Sequence, residues 1–172
     1  NNMAIIPALY LEYSFDDASW AGEGNGITLG VSMVEGTADV SDSVSSRSDT
    51  AEDDAGSGST GAVTYEAQAE VSNYVNYYLE MPIVQSLYVK AGLSQIDLVT
   101  KEDADHEGSY GDATLDGINY GIGIKGLYGP LHLKLAYEAT DWDELSLTST
   151  TSNKITADLD VTKATFAIGY NF

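Results

Sequence analysis

The sequence predicts an all-β protein, an antiparallel up-and-down β-barrel that crosses a membrane, with seven strands readable in the chain. Three observations predict it. Apolar and polar residues alternate with a period of two through segment after segment, giving each strand one greasy face and one polar or small face. Tight and long connections follow one another in turn. Aromatic residues gather near the segment ends, where rings with an apolar body and a polar tip favour a membrane–water boundary.

Residues 3–15 form the first expected strand, with Leu9, Leu11, Tyr13 and Phe15 opposite Ala8, Tyr10, Glu12 and Ser14. Pro7 lies near its start, where a missing ladder donor is tolerated. Asp and Gly in 16–25 read as a turn. Residues 26–35 alternate again, with Ile27, Leu29, Val31 and Met33 on one side. Residues 36–61 hold little that can be buried and read as a long loop. In 62–81, Tyr65, Ala67, Ala69, Val71, Val75, Tyr77 and Leu79 share one face, and Glu66, Gln68, Glu70, Tyr74, Asn76, Tyr78 and Glu80 the other. Asn73 interrupts the apolar face, the mark of a bulge or of a position near the interface.

After a turn at 82–86, residues 87–100 set Leu87, Val89, Ala91 and Leu93 against Tyr88, Lys90, Gly92 and Ser94. Residues 101–116 read as an acidic loop. Residues 117–128 carry Ile118, Tyr120, Ile122 and Ile124 against Asn119, Gly121, Gly123 and Lys125, and Gly129-Pro130 makes a short turn. Residues 131–141 set Leu131, Leu133, Leu135 and Tyr137 against His132, Lys134, Ala136 and Glu138. A Ser/Thr-rich loop at 143–154 leads to the last strand, where Phe166, Ile168, Tyr170 and Phe172 oppose Thr165, Ala167, Gly169 and Asn171. A tilted barrel strand needs roughly 9–11 residues to cross a bilayer, and these segments supply that length.

With 172 residues the chain, 1–172, fits one domain. It has no run of about 18 apolar residues, which excludes a transmembrane helix but not a barrel. The absence of cysteine decides nothing about compartment. No basic, apolar leader opens the sequence, so an exported chain is expected to have lost its signal peptide. The formal charge is −20, with 27 acidic against 7 basic residues, the acids clustering in 35–54, 97–116 and 141–160, in and around the long loops expected near 36–61, 101–116 and 143–154. Such a surface repels nucleic acid and favours divalent cations as partners.

The stretches Leu-Tyr-Val-Lys-Ala-Gly-Leu, Tyr-Gly-Ile-Gly-Ile, Leu-Lys-Leu-Ala-Tyr-Glu and Ile-Gly-Tyr-Asn-Phe resemble the small outer-membrane β-barrels of the OmpA-like and opacity-type surface protein families. The likeness covers roughly residues 62–172 and is one of pattern. It implies eight strands in the intact protein and a bacterial outer-membrane location with loops at the cell surface. The closing residues Tyr170 and Phe172 would then be part of the assembly signal. It also implies outer-membrane lipid and lipopolysaccharide as surroundings, and a non-enzymatic part in envelope integrity, adhesion or recognition. An extracellular protein or phage is the partner expected, and oligomers are compatible with it. Seven readable strands against eight leave a first strand outside this sequence, pairing from a partner chain, or a hidden crossing; the first is favoured, since 36–61 is too polar to hide one.

The candidate site is a network of charges on the polar strand faces: Glu12, Glu80, Lys90, Lys125, His132, Lys134, Glu138 and Lys163, with Glu66 and Glu70 assigned to the same side. An eight-stranded interior is just wide enough for side chains, and opposite charges enclosed there should pair and plug it. The alternative is a narrow selective path for small solutes. His132 as a hydrolytic base would need a serine within reach and an orienting acid, and no serine sits at a neighbouring inward position of its strand, so the reading is not an enzyme. Asp103, Asp105 and Glu107 resemble the first half of an EF-hand loop, but Thr114 stands where the bidentate Glu belongs. The expectation is no cofactor, with weak Ca²⁺ or Mg²⁺ binding as the second reading. Tyr13, Phe15, Trp20, Tyr128, Tyr170 and Phe172 would form one aromatic belt, and Tyr65, Tyr110, Tyr137 and Trp142 the other. A further alternative is a soluble β-sheet protein that self-assembles through open strand edges.

Overall fold

The strand pattern folds into a curled, open antiparallel sheet with no helix among the described residues. These are 6–17, 26–39, 45–50, 62–102, 111–148 and 154–171 of a computed structural model. The elements are β1 (Leu9–Asp17), β2 (Gly26–Asp39), β3 (Ser45–Thr50), β4 (Ala62–Val84), β5 (Leu87–Glu102), β6 (Ala113–Tyr128), β7 (Leu131–Trp142), β8 (Leu145–Thr148), β9 (Lys154–Ala157) and β10 (Asp160–Tyr170). Seven of them lie side by side in the order β1-β2-β4-β5-β6-β7-β10. No described helix is long and apolar enough to cross a membrane, which says nothing about crossing by strands.

Several stretches expected as loops carry strand. β2 continues to Asp39, and β3 pairs with the first residues of β4, Ser45 against Ala67 through Thr50 against Ala62. Polar residues form these ladders because the backbone groups, not the side chains, need the partners. β5 likewise runs on to Glu102 and β6 begins at Ala113, so the 101–116 connection is shorter than expected. At 143–154 the chain forms β8, which pairs with β9 as a separate hairpin.

Asn73 is the bulge. Its φ is 53°, and the β4–β5 register slips between Ser72 and Val75. One extra residue reverses the alternation beyond it. Val71 therefore shares the concave face with Leu98, its register partner, and Glu70 moves to the other face with Val99. The assignment of Glu70 to the face of Glu80 is corrected accordingly; the side chain of Glu66 lies outside the described residues. The Asn73 amide donates to Asp97 Oδ2 at 3.0 Å and the Thr114 hydroxyl to Asp97 Oδ1 at 2.9 Å. These two donors hold the exposed Asp97 carboxyl below its ordinary range.

The two tight connections, Gln85-Ser86 and Gly129-Pro130, lie at the same end of the sheet. Gly129 has a φ of 61°, which glycine adopts freely, while Gln85 is held at 45° against the clash of its own Cβ. We expect Gln85→Gly to stabilise the fold by about 1 kcal/mol, read as a raised urea midpoint at unchanged slope. Asn73→Ala should raise the Asp97 carboxyl toward the usual value of about 3.9, as followed by carbon NMR titration. The sign follows from the lowered value: the ionised form favours the fold above the ordinary range, and that benefit fades as pH falls through the depressed one.

Candidate functional site

The two faces of the sheet differ sharply in chemistry. On the convex face, Val89, Ala91 and Leu93 of β5 lie in register with Ile122, Tyr120 and Ile118 of β6, and Leu133 and Leu135 of β7 with Ile168 and Phe166 of β10. These side chains are exposed, Leu93 by 67% and Phe166 by 68%. On the concave face, Glu80 and Glu138 are 2% exposed and Asn76 and Asn119 are fully enclosed. Charges lie inside and hydrocarbon lies outside.

Inward residues from seven strands build the enclosed cluster. Lys134 Nζ bonds both oxygens of Glu80, at 2.7 and 2.8 Å, and also pairs with Glu12. Lys125 lies 3.6 Å from Glu80 Oε2 and donates to Thr28 Oγ1 at 3.2 Å. Lys90 bonds both oxygens of Glu138 at 3.1 Å and sits 3.9 Å above the Tyr78 ring. Lys163 reaches Glu138 at 3.4 Å and the Tyr74 hydroxyl at 3.1 Å. The Tyr78 hydroxyl donates to Glu12 at 2.5 Å. Every buried lysine of this cluster thus has a carboxylate, which is what enclosure of an ammonium requires. His132 Nδ1 is 3.9 Å from Glu12 Oε2, while its Nε2 and the Tyr10 hydroxyl are enclosed without a hydrogen-bond partner.

All eight residues singled out from the sequence as a charge network therefore meet on one face. Sequence reasoning missed the neutral part: Thr28, Asn76, Tyr78, Tyr88, Asn119 and Thr140, although strand parity with Glu80, Lys90 and Glu138 marked each of them. Asn119 accepts from Asn76 at 3.2 Å and donates to Thr140 Oγ1 at 3.0 Å, a polar crossbar above the ion pairs. Two inward glycines make room for the large rings. A Cβ on Gly30 or Gly123 would collide with Tyr78 or Tyr88, its cross-strand neighbour.

Toward the end with the long connections, both faces exchange character. Outward, Leu93 is followed by Gln95 and Asp97, Ile118 by Asp116, and Tyr137 by Ala139 and Asp141. Inward, Ser94 gives way to Ile96 and Leu98, and Asn119 to Leu115. These apolar residues pack with Leu145, and with Val71, Tyr74, Leu147, Ala157 and Leu159, so the β8–β9 hairpin folds over the concave side. The expected belt position of Trp142 is corrected here. Parity with Thr140 turns it inward, beside Gly117 and edge-on to Tyr74 at 6.2 Å between centroids, and it joins this cluster. Tyr13, Tyr77, Tyr120, Tyr128, Tyr137 and Tyr170 are on the exposed face.

Trp20, Tyr110, Phe172 and the side chain of Tyr65 lie outside the described residues, as do Asp103, Asp105 and Glu107. Among the described residues no group of three or more His, Asp or Glu side chains is arranged to hold a metal ion. The fold and the site define a class, an all-β half-barrel with a charged concave face. Comparisons with protein-family models, curated proteins and solved structures give no match.

Removing one member of a buried ion pair leaves an uncompensated charge, so Glu80→Leu, which strands Lys125 and burdens Lys134, should cost about 3–5 kcal/mol in urea unfolding. The exposed Asp116→Asn should fall within about 0.5 kcal/mol of the parent.

Proposed function

We propose that the chain is the greater part of an eight-stranded β-barrel in a bacterial outer membrane, with a filled interior, acting as an anchor that presents its long connections at the cell surface. One observation carries the reading, the exchange of polarity on both faces. A sheet in water puts apolar residues inside throughout. Here that order holds only beyond Gln95, Asp116 and Asp141; below them it is inverted, as a lipid-facing wall demands. The inverted stretch of β6 runs from Ile118 to Tyr128, roughly 25–30 Å in height at about 3.4 Å per residue and about 40° of tilt. That matches the lipid-facing band of outer-membrane barrels, about 25 Å.

The stagger of the sheet supports eight strands. A line of register partners from Tyr10 passes Ser32, Asn76, Ser94, Gly117 and Trp142, and the Trp142 backbone N–H donates to the carbonyl of Leu159 at 3.2 Å. In space the Tyr10 hydroxyl instead occupies the place of a Cβ on Gly169, ten residues beyond Leu159. A stagger of ten residues over eight strands corresponds to a tilt of about 40°, within the range of about 35–45° that closed barrels adopt. β1 and β10 are the ends of the path, and seven antiparallel strands leave these two edges running the same way. One more strand, antiparallel to both, completes the circle. Edges left bare in lipid would cost several kcal/mol per unpaired group.

The interior favours an anchor over a pore. Ion pairs and tyrosines fill the concave face, and the cluster around Leu98 and Leu145 covers it at one end. In envelope integrity, adhesion or recognition the working contacts would be made by the acidic connections, with lipopolysaccharide, divalent cations or an extracellular protein or phage as partners. The role proposed is non-enzymatic.

Spin labels at Ile122 and Leu133 should be accessible to oxygen and shielded from water-soluble nickel complexes in lipid vesicles, with the protein running at a heat-modifiable position on gels. Planar bilayers should give no steady conductance. Labels that are wet, or buried in a detergent-free soluble particle, would favour the self-assembling soluble sheet instead. A steady conductance altered by Lys125→Met would favour the pore.

A further inference from the structure

Among the described residues, two inward tyrosines lie over an inward glycine of the next strand. Tyr78 and Gly30 are register partners on β4 and β2, and Tyr88 and Gly123 on β5 and β6. In each pair the tyrosine ring stands where a Cβ would be; at Gly123 the Tyr88 Cζ and hydroxyl oxygen are both 2.6 Å from that position. Tyr10 and Gly169 repeat the arrangement across the seam, yet no ladder joins β1 to β10 among the described residues. A cleft of about 310 Å³ separates the two edges, lined by residues 8–12, by 168–171 and by His132. Here the Tyr10 hydroxyl fills the Cβ position of Gly169, while its Cζ and Cε2 lie 3.1 and 3.5 Å away. The ring therefore stops short of β10 and lies beneath the gap. Lys134, with Nζ 5.9 Å from the ring centre, keeps it there from the lumen side.

We infer that the strand closing this seam carries glycine at the residue that is register partner of both Tyr10 and Gly169, so that the Tyr10 ring passes beneath it. The inference rests on the barrel reading and adds to it the inward residue type that the missing partner needs at this level. Paired strands lie about 4.8 Å apart, so the edges of a one-strand gap are roughly 9–10 Å apart, and a tyrosine that bridges them must run under the strand between. Register partners face the same way, so this residue of the closing strand turns inward, onto the ring. A Cβ there would meet the ring as one on Gly30 or Gly123 would, and overpacking of that kind is destabilising. Glycine inside a strand marks such a close approach. The outward residues of the closing strand are apolar like those of its neighbours.

The test joins a strand as long as the 11 residues of β10, through a polar loop, ahead of Asn1 of the full chain, and refolds each fusion into dilauroylphosphatidylcholine vesicles. Its outward residues are apolar and its inward ones Ser or Thr, except that the residue facing Tyr10 and Gly169 is Gly, Ala or Val. The ratio of closed, heat-modifiable protein to unfolded protein in urea is read for each. The Gly fusion should exceed the Ala fusion by about tenfold and the Val fusion by about a hundredfold in this ratio. With Ala facing Tyr10 and the glycine moved two residues along, closure should be no better than in the Ala fusion. In Tyr10→Ala the ring is gone, and the Ala fusion should equal or exceed the Gly fusion, by up to about fivefold, because glycine is the poorer strand residue. Tyr10→Phe keeps the ring and should keep the preference for Gly. Equal closure by Gly, Ala and Val in the parent, a displaced glycine that serves as well, or a preference unmoved by Tyr10→Ala overturns the inference while leaving the barrel intact. Closure of the chain with no added strand, with Leu11→Cys cross-linking to Ile168→Cys of the same molecule, overturns it in favour of direct contact between β1 and β10. Cross-links between molecules overturn it in favour of a second copy as the occupant. Failure of every fusion to enter lipid, with the spin labels wet, removes the barrel reading and the inference with it.

Discussion

Lysine held by carboxylate on the inner surface of a curled sheet is the interaction the rest of the structure depends on. Lys134 alone ties β7 to β1 and β4 through Glu12 and Glu80, and Glu138 ties β7 to β5 and β10 through Lys90 and Lys163. With hydrocarbon side chains turned outward, the sheet has no apolar core over most of its height. In the lipid setting proposed for it, the hydrophobic effect would not draw strands together, and cohesion would come from ladders of backbone bonds and from the enclosed charges. Such pairs are costly to break and give little net gain over apolar packing, which suits them to fixing register and shape more than to adding stability.

The cluster around Ile96, Leu98, Leu115 and Leu145 supplies an ordinary core where the sheet leaves the inverted zone. The two halves are held by different physics, ion pairs below and excluded water above. The bulge at Asn73 sits near this change. It resets the parity of β4 so that Val71 joins the core, while Asn73 itself turns outward to Asp97.

Most of the architecture was legible in the sequence, because alternation is a local signal and each strand of the seven carries it. Leu131 to Glu138 reads the same on paper and in space. The candidate charges were legible for the same reason. The extensions were not, since β3 has no apolar face and looks like a loop in a hydrophobicity pattern, and β8, with Leu145 and Leu147 alone, is too short for its alternation to stand out. Trp142 was misplaced because an aromatic near a strand end suits a belt or a core equally, and only its parity with Thr140 decides. The change of polarity near Gln95 was missed because 101–116 and 143–154 were taken as loops, which hid the apolar residues Leu115 and Leu145 as partners for Leu98.

The ten-residue stagger has a consequence for how such a wall can change. Offsets between neighbours come in steps of two residues, because a single-residue slip would turn lysines to the convex face and leucines to the concave one. Girth and inclination are therefore stepped quantities, spread over the six ladders of the path. A variant of this chain gains width by adding a whole hairpin, or slope by slipping one hairpin by a full pleat, with nothing in between.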